Sequence, residues 1–159
     1  MNMTTPNYDF RKDFPIARKT EAQIAQYLSE KQKMKFLGEC NNSDYDIRME
    51  TPSGKNITIE IKEDFSCART GNVGVEYECR GRASGIEVSK ADFYIYKVHQ
   101  PDGKKGVSVI QTPQLKKMIE NQEYFRTVVG GDPGSFSKNY LFKLDVIKNN
   151  FKFLGYLEN

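Results

Sequence analysis

Two carboxylates and one ammonium occupy positions from which all three can act on one substrate. Asp46 precedes a predicted turn at Ser53, and Glu60 and Lys62 follow it. If the turn is symmetric about Ser53, Asp46 faces Glu60 across a hairpin, with their Cβ atoms roughly 5 Å apart. Two close carboxylates suit a hard cation such as Mg²⁺ or Mn²⁺, which can polarise a phosphodiester. Lys62, on the same face, would orient the attacking water or stabilise developing negative charge.

A fourth acid, Glu21, lies in the first turn of a predicted helix over residues 21–33. It borders the apolar stripe of this helix, so its side chain can point toward the sheet and act as an auxiliary metal ligand. The helix dipole also favours an acid in this position, which explains Glu21 without any function. Both interpretations stay open from the sequence alone.

The elements that must position these groups are a helix followed by a hairpin. Thr20 and Gln23 form a capping-box pattern at the start of the helix. A short strand is predicted at Phe36-Leu37. The hairpin arms are Tyr45–Glu50 and Asn56–Lys62, and the second arm alternates strictly, with isoleucines at 57, 59 and 61 on one face. This alternation predicts a strand with one buried side.

The rest of the chain predicts a mixed α/β sandwich, in which helices pack on a sheet. We expect strands at 92–98 and 107–110, a helix begun by Pro113 and capped by Thr112, and a closing strand or helix at 151–157. Residues 63–87 show mixed spacing, and Asp132 is expected in a turn within a loop at 130–138. His99 and the aromatic residues of 92–98 are predicted to be structural. We interpret 1–159 as a single domain with an N-terminal arm over 1–19.

Composition narrows the function classes. Three cysteines without a C-x-x-C pair indicate free thiols in a reducing compartment. A single histidine argues against paired-histidine catalysis. Neither a signal peptide nor a membrane-spanning segment is evident, so we expect no membrane association and a cytoplasmic protein of a bacterial, archaeal or viral host cell. Residues 1–96 carry 14 basic and 15 acidic side chains, whereas 97–159 carry 10 and 6. This asymmetry suits a cation-assisted site that acts on a phosphate polymer.

The motif resembles that of the PD-(D/E)XK nuclease superfamily. The resemblance implies a restriction-endonuclease-like α-β-β-β-α-β core over about residues 20–98, with 76–86 as its second helix. The matching residues are Glu21, Asp46, Glu60 and Lys62. Glu21 and Asp46 are 25 residues apart, and Asp46 and Glu60 are 14 residues apart. These separations are similar to those of Holliday-junction-resolvase-like and small phage nucleases. Tyr45 stands where the motif has proline, and no downstream Gln or Tyr is assigned as a last active-site residue.

This resemblance implies a metal-dependent DNA endonuclease that acts on branched or structured DNA, with Mg²⁺ or Mn²⁺ as cofactor. Asp46, Glu60 and Glu21 would hold the metal. Further expectations are a homodimer and contacts to substrate phosphates from three basic residues: Arg80, Arg82 and Lys90. Two alternatives stay open, a ribonuclease and a non-catalytic nucleic-acid-binding or inhibitory module. Asp44 is predicted to pair with Lys62 or to bind a second metal, and Glu76 and Glu78 either extend the acidic cluster or lie on a solvated face.

Overall fold

The computed structural model describes residues 18–131 and 133–158. It shows an α/β fold in which a mixed sheet is flanked by helices. Most of the expected N-terminal arm and the turn residue Asp132 lie outside the described residues. Lys19, predicted to belong to the arm, already begins the first helix. No helix within the described ranges is long and apolar enough to span a bilayer.

A six-stranded sheet carries the predicted hairpin. Its order is β1-β2-β3-β6-β7-β10, and β3 and β6 are parallel, whereas the other neighbours are antiparallel. These strands are β1 (Lys35–Glu39), β2 (Ile47–Glu50), β3 (Asn56–Asp64), β6 (Phe93–His99), β7 (Lys105–Gln111) and β10 (Lys152–Leu157).

The first helix, α1 (Lys19–Lys31), packs on one face of this sheet because its buried residues recur at helical spacing. They meet the isoleucines of β3 in one apolar cluster. The predicted capping box is wrong. Thr20 lies inside the helix and donates its hydroxyl to Glu63 of β3, while Gln23 accepts a hydrogen bond from Lys97 at 2.7 Å.

A second, four-stranded sheet is formed by two separate parts of the chain, one between β3 and β6 and the other between β7 and β10. Its order is β5-β4-β9-β8. The expected second helix at 76–86 is not formed, because this segment is strand in the second sheet followed by a 3₁₀ turn. The elements are α2 (Cys67–Thr70), β4 (Asn72–Cys79), β5 (Arg82–Ala83), a 3₁₀ helix (Gly85–Glu87), β8 (Arg126–Gly130) and β9 (Ser137–Lys143).

Close backbone approach holds the 3₁₀ turn against β4. Gly85 has a positive φ of 52°, and a Cβ atom there would lie 2.1 Å from the carbonyl oxygen of Glu76. Only glycine fits such a contact. The turn leads directly to Ser89, which contacts the candidate site.

Two further helices complete the described chain, α3 (Thr112–Glu120) and α4 (Leu144–Asn150). Pro113 lies in the first turn of α3, as predicted. Thr112 does not cap this helix, because Gln111 occupies the N-cap and the buried Thr112 hydroxyl has no hydrogen-bond partner among the described residues. The second apolar cluster lies between the two sheets and includes Tyr94, Tyr96 and Phe142.

Candidate active site

Strand β3 presents Glu60 and Lys62 on the face opposite its isoleucines. The isoleucine face packs against α1. On the other face, parallel pairing sets Glu60 beside Tyr94 and Lys62 beside Tyr96, both of which belong to the cluster between the sheets. Glu60 is only 9% exposed. Because a charged carboxylate loses hydration when it is buried, its partners determine what this position can do.

Asp46 is joined directly to the Glu-x-Lys segment. The β2–β3 pairing matches the predicted register from Glu50 opposite Asn56 to Ile47 opposite Ile59. The regular pairing ends there, so Asp46 is not a ladder partner of Glu60. Instead, its backbone N–H donates to Ile59 at 3.0 Å, and its Oδ2 accepts the N–H of Ile61 at 2.7 Å.

Glu60 contacts a donor on each of its two oxygens. Ser89 donates its hydroxyl to Oε1 at 3.1 Å, and Lys62 Nζ lies 3.3 Å from Oε2. Burial raises the pKa of Glu60, the charge of Lys62 opposes this rise, and the negative charge of Asp46 adds to it. The two acids therefore interact electrostatically, with the ammonium of Lys62 as their compensating charge.

The carboxyl of Asp46 is also protonated more readily than an exposed aspartate. Burial raises its pKa, while the Ile61 hydrogen bond and the charges of Lys62 and Arg18 oppose that rise. Its backbone carbonyl accepts a hydrogen bond from Cys40 at 3.0 Å, which ties the end of β1 to the site. This arrangement restrains Asp46 on both its backbone and its side chain.

Glu21 belongs to the same electrostatic group. Its Oε1 is buried and has no hydrogen-bond partner among the described residues. Arg18 Nη1 lies 3.6 Å away, but that nitrogen donates to Glu39 at 3.0 Å. Burial, followed by the charge of Asp46, raises the pKa of Glu21 to about 7, with smaller contributions from Glu39 and Glu60. A cation placed among these carboxylates would relieve their repulsion.

The predicted phosphate contacts lie in two places, with Arg80 and Arg82 on the second sheet and Lys90 directly after Ser89, whose hydroxyl contacts Glu60. Arg80 and Arg82 are exposed at the β4–β5 turn of the second sheet. Lys90 pairs with Asp44 at 3.8 Å, so the predicted Asp44–Lys62 ion pair is wrong. Within the described ranges, no hydrogen bond or ion pair joins the three basic residues to Asp46, Glu60 or Lys62.

Two other acids, one at the end of β3 and one on β4, are occupied by internal donors. Asp64 accepts the N–H groups of Cys67 and Gly74 at 2.9 and 2.8 Å. Glu76 accepts the hydroxyls of Ser84 and Ser137 at 2.9 and 2.6 Å. These contacts give Asp64 and Glu76 structural roles.

Glu63 forms the centre of a separate polar cluster. It pairs with Lys97 at 3.1 Å and with His99 Nε2 at 2.6 Å. Phe65 stacks on the His99 ring, with their centroids 4.5 Å apart. These contacts fix the position of the His99 ring, and the structural role expected of His99 stays a prediction. Glu78 pairs with Lys138 at 2.9 Å across the second sheet.

Sequence analysis missed Ser89 and Tyr94 as neighbours of the site. Tyr94 is 1% exposed, and burial, followed by the charge of Glu60, raises the pKa of its hydroxyl, while a side-chain interaction with Ser89 opposes that rise. Alternation within the predicted strand at 92–98 shows which residues share a face with Tyr94. No pattern in the sequence, however, indicates that this strand pairs with β3. Ser89 lies in an irregular segment that no periodicity describes.

Among the described residues, neither a cluster of metal-ligating side chains nor a similarity to known proteins identifies the site. In the part of the chain that the structure describes, no group of three or more His, Cys, Asp or Glu side chains is arranged to hold a metal ion. The chain matches no protein-family model, no curated protein and no solved structure. The chemistry must therefore be argued from the geometry of Asp46, Glu60, Lys62 and Glu21.

Proposed function

We propose that this protein is a divalent-metal-dependent phosphodiesterase that hydrolyses nucleic acid, with DNA as its substrate. The observation that carries the proposal is the hydrogen bond from the Ile61 N–H to Asp46, which holds one carboxylate against the segment bearing Glu60 and Lys62. Two restrained acids can hold a divalent cation, and an ammonium can stabilise negative charge on a phosphate, so together they suit metal-assisted phosphodiester hydrolysis.

The donor types present suit Mg²⁺ or Mn²⁺, although the described side chains are not already grouped around one metal position. The candidate ligands, Asp46, Glu60 and Glu21, supply only oxygen donors, which hard cations prefer. Burial is the main cause that raises the pKa of each of the three carboxyls. At Glu21 and Glu60, the negative charge of another acid of the set raises the pKa further. Oε1 of Glu21 is a buried acceptor with no hydrogen bond from the described residues, and only the ion pair with Arg18 at 3.6 Å compensates its charge there. A bound divalent cation would polarise the phosphodiester and acidify a coordinated water.

Lys62 supplies the positive charge of the chain itself. Its ammonium is held 3.3 Å from Glu60 and is one-third exposed, so it can contact both the carboxylate and a bound substrate. From this position it would stabilise negative charge that develops on the phosphate oxygens, or orient the attacking water. We assign Asp46 and Glu60 as ligands, Glu21 as auxiliary ligand and Lys62 as the charge-stabilising group.

Cleavage and metal binding by the wild-type protein test this proposal together. Labelled DNA and RNA of the same sequence would be incubated with Mg²⁺, with Mn²⁺ and with excess chelator, while calorimetry measures Mn²⁺ binding. We expect Mn²⁺ to bind and DNA to be cleaved only with a divalent cation. Faster cleavage of RNA would overturn the assignment of DNA. Nucleic-acid binding without cleavage would identify a non-catalytic module, and neither binding nor cleavage would reject a role in nucleic-acid chemistry.

We also propose a homodimer, because a chain of this size covers little duplex and two copies would bring two sites to two strands. Light scattering coupled to size-exclusion chromatography measures the mass directly. A mass of about 18.3 kDa would show a monomer and reject this proposal.

A further inference from the structure

A cavity between the two sheets begins at the candidate site. Its volume is about 510 Å³, and its lining includes Lys62 and Tyr96 from the six-stranded sheet together with Asn139 from the second sheet. Lys62 thus belongs both to the candidate catalytic group and to the wall of the cavity. Any chain that occupies the cavity lies next to the Lys62 ammonium.

Two arginines of this lining have no acidic partner. Arg69 of α2 and Arg126 of β8 are exposed, and no ion pair within 4.0 Å involves either of them in the described ranges. The lining acids, in contrast, are occupied: Asp64 and Glu76 accept the internal hydrogen bonds described above. Arg126 lies over the Phe125 ring, 6.0 Å from its centroid, and within the described ranges neither guanidinium is neutralised by a carboxylate. Arginine is well suited to phosphate recognition.

Two exposed aromatic residues are chain neighbours of lining residues, although neither belongs to the lining itself. Phe125 directly precedes the lining residue Arg126 and is 45% exposed, and Lys143 lies 5.6 Å from its ring centroid. Phe65 lies between two lining residues of the β3–α2 connection and is 65% exposed. Aromatic rings beside cationic groups are typical of surfaces on which the bases of a single strand stack while its phosphates are neutralised.

The dimensions of the cavity favour a single strand over a duplex. A volume of 510 Å³ lies within the range of small-ligand pockets, roughly 300–1,000 Å³. A duplex, whose major groove alone is about 12 Å wide, is large compared with a cavity of this volume. An unstacked strand can enter it and present a phosphate to Lys62.

We propose that the cavity between the sheets is the binding groove for a single strand of nucleic acid, with Arg69 and Arg126 as its phosphate contacts. This inference rests on the proposed function, since it assigns the substrate form that reaches the same site. It moves the expected phosphate contacts from Arg80, Arg82 and Lys90 to two residues that sequence analysis did not select.

Equilibrium binding in chelator tests the groove without catalysis. A fluorescein-labelled DNA strand, the RNA strand of the same sequence and the DNA duplex would be titrated against wild type, Arg69→Ala, Arg126→Ala and the double variant. Lys152→Ala on β10 is the charge-matched control, since Lys152 is exposed and lies outside the groove lining. Thermal melts would confirm that every variant is folded.

We expect the single strand to bind at least tenfold more tightly than the duplex. Each arginine variant should lose several-fold affinity and lower the salt-dependence slope by about 0.7, whereas Lys152→Ala binds like wild type. Equal binding of duplex and single strand, or arginine variants that bind like wild type, would overturn the groove. The DNA and RNA arms show which strand it prefers.

Cleavage by the same proteins separates this inference from the proposed function. Single-strand binding that depends on both arginines, without metal-dependent cleavage, supports the groove and rejects the hydrolase. Metal-dependent cleavage that both arginine variants retain in full supports the hydrolase and rejects the groove.

Discussion

The carboxylate of Asp46 accepts the backbone N–H of Ile61 at 2.7 Å, and this contact joins the start of β2 to the middle of β3. Ile61 lies between Glu60 and Lys62, so the hydrogen bond positions Asp46 relative to both. Asp46 is partly desolvated in this position, which raises its pKa, and the Ile61 hydrogen bond and the charge of Lys62 oppose this rise. The site is therefore organised through the backbone of β3 as well as through its side chains.

Neutralising either principal acid should remove activity and leave the fold intact. We expect Asp46→Asn and Glu60→Gln to reduce metal-dependent DNA cleavage below detection, because each removes an anionic oxygen ligand. Their melting temperatures without metal should equal or slightly exceed that of wild type, since carboxylate repulsion is relieved. Asp92→Asn is the matched control. Asp92 also accepts a backbone N–H of β3, from Thr58 at 2.9 Å, but it is not a proposed ligand. Wild-type cleavage by Asp46→Asn or Glu60→Gln would refute the assignment.

Removing the ammonium of Lys62 should slow turnover more than it weakens binding. Lys62→Met keeps the length of the side chain and loses its charge, so we expect kcat to fall roughly 10²-fold, as for loss of one transition-state donor. The pH profile of kcat should also shift to higher pH. Lys62 lowers the pKa of Glu60, so without its charge the Glu60 carboxyl loses its proton only at higher pH.

Lys90→Met provides the control for this substitution, because the Lys90 ammonium pairs with Asp44 rather than with Glu60. Its kcat should match that of wild type. If Lys62→Met loses affinity and turnover to the same extent, Lys62 acts as a phosphate anchor instead.

The buried acid of α1 should make stability depend on pH. The pKa of Glu21 is about 7 in the folded protein against an ordinary value of 4.5, so the folded state binds more protons between these values. Stability should therefore fall as the pH rises through this window. Glu21→Gln removes that penalty, and we expect it to be about 1–3 kcal/mol more stable than wild type at pH 8 and equal at pH 4.

Urea denaturation at both pH values, without metal, measures this difference. The exposed Glu30 of the same helix provides the control, since Glu30→Gln should show no pH-dependent change relative to wild type. Loss of stability at pH 8 in Glu21→Gln would show that its carboxylate is stabilising.

Substrates with an accessible single strand should be cleaved faster than linear duplex at about 0.1 M salt, where surface charges are largely screened. A flap, a free single strand, a four-way junction and a linear duplex of shared sequence would be digested side by side.

The dimeric nuclease interpretation predicts that the flap and the junction are both preferred to the duplex. The groove further predicts that the flap and the single strand exceed the junction. Equal rates on all four would indicate a general nuclease, and cleavage at one short sequence of the duplex would indicate a restriction-type enzyme.

The local arrangement of the hairpin was predictable because its determinants are close in the chain. Alternating isoleucines select one face of β3, and the turn at 51–55 sets the register that pairs Glu50 with Asn56. This register set the position of Ile47, the residue after Asp46, but it did not predict the contact of Asp46 with the Ile61 N–H. The described part of the chain also keeps Cys40, Cys67 and Cys79 as free thiols, as predicted from their spacing.

Only the tertiary structure decided the remaining features, because their partners are distant in sequence. Residues 72–79 form a strand because they pair with β9, where Val75 lies opposite Tyr140, and no local pattern encodes that partner. Thr20 leaves its predicted cap because Glu63, 43 residues away, accepts its hydroxyl. Likewise, a simple register predicts that Asp46 pairs with Glu60 in the β2–β3 ladder. In the structure, the Asp46 side chain accepts the Ile61 N–H instead. Alternation and turn chemistry act over a few residues, whereas burial, pKa and the space between two sheets depend on the packing of the whole chain.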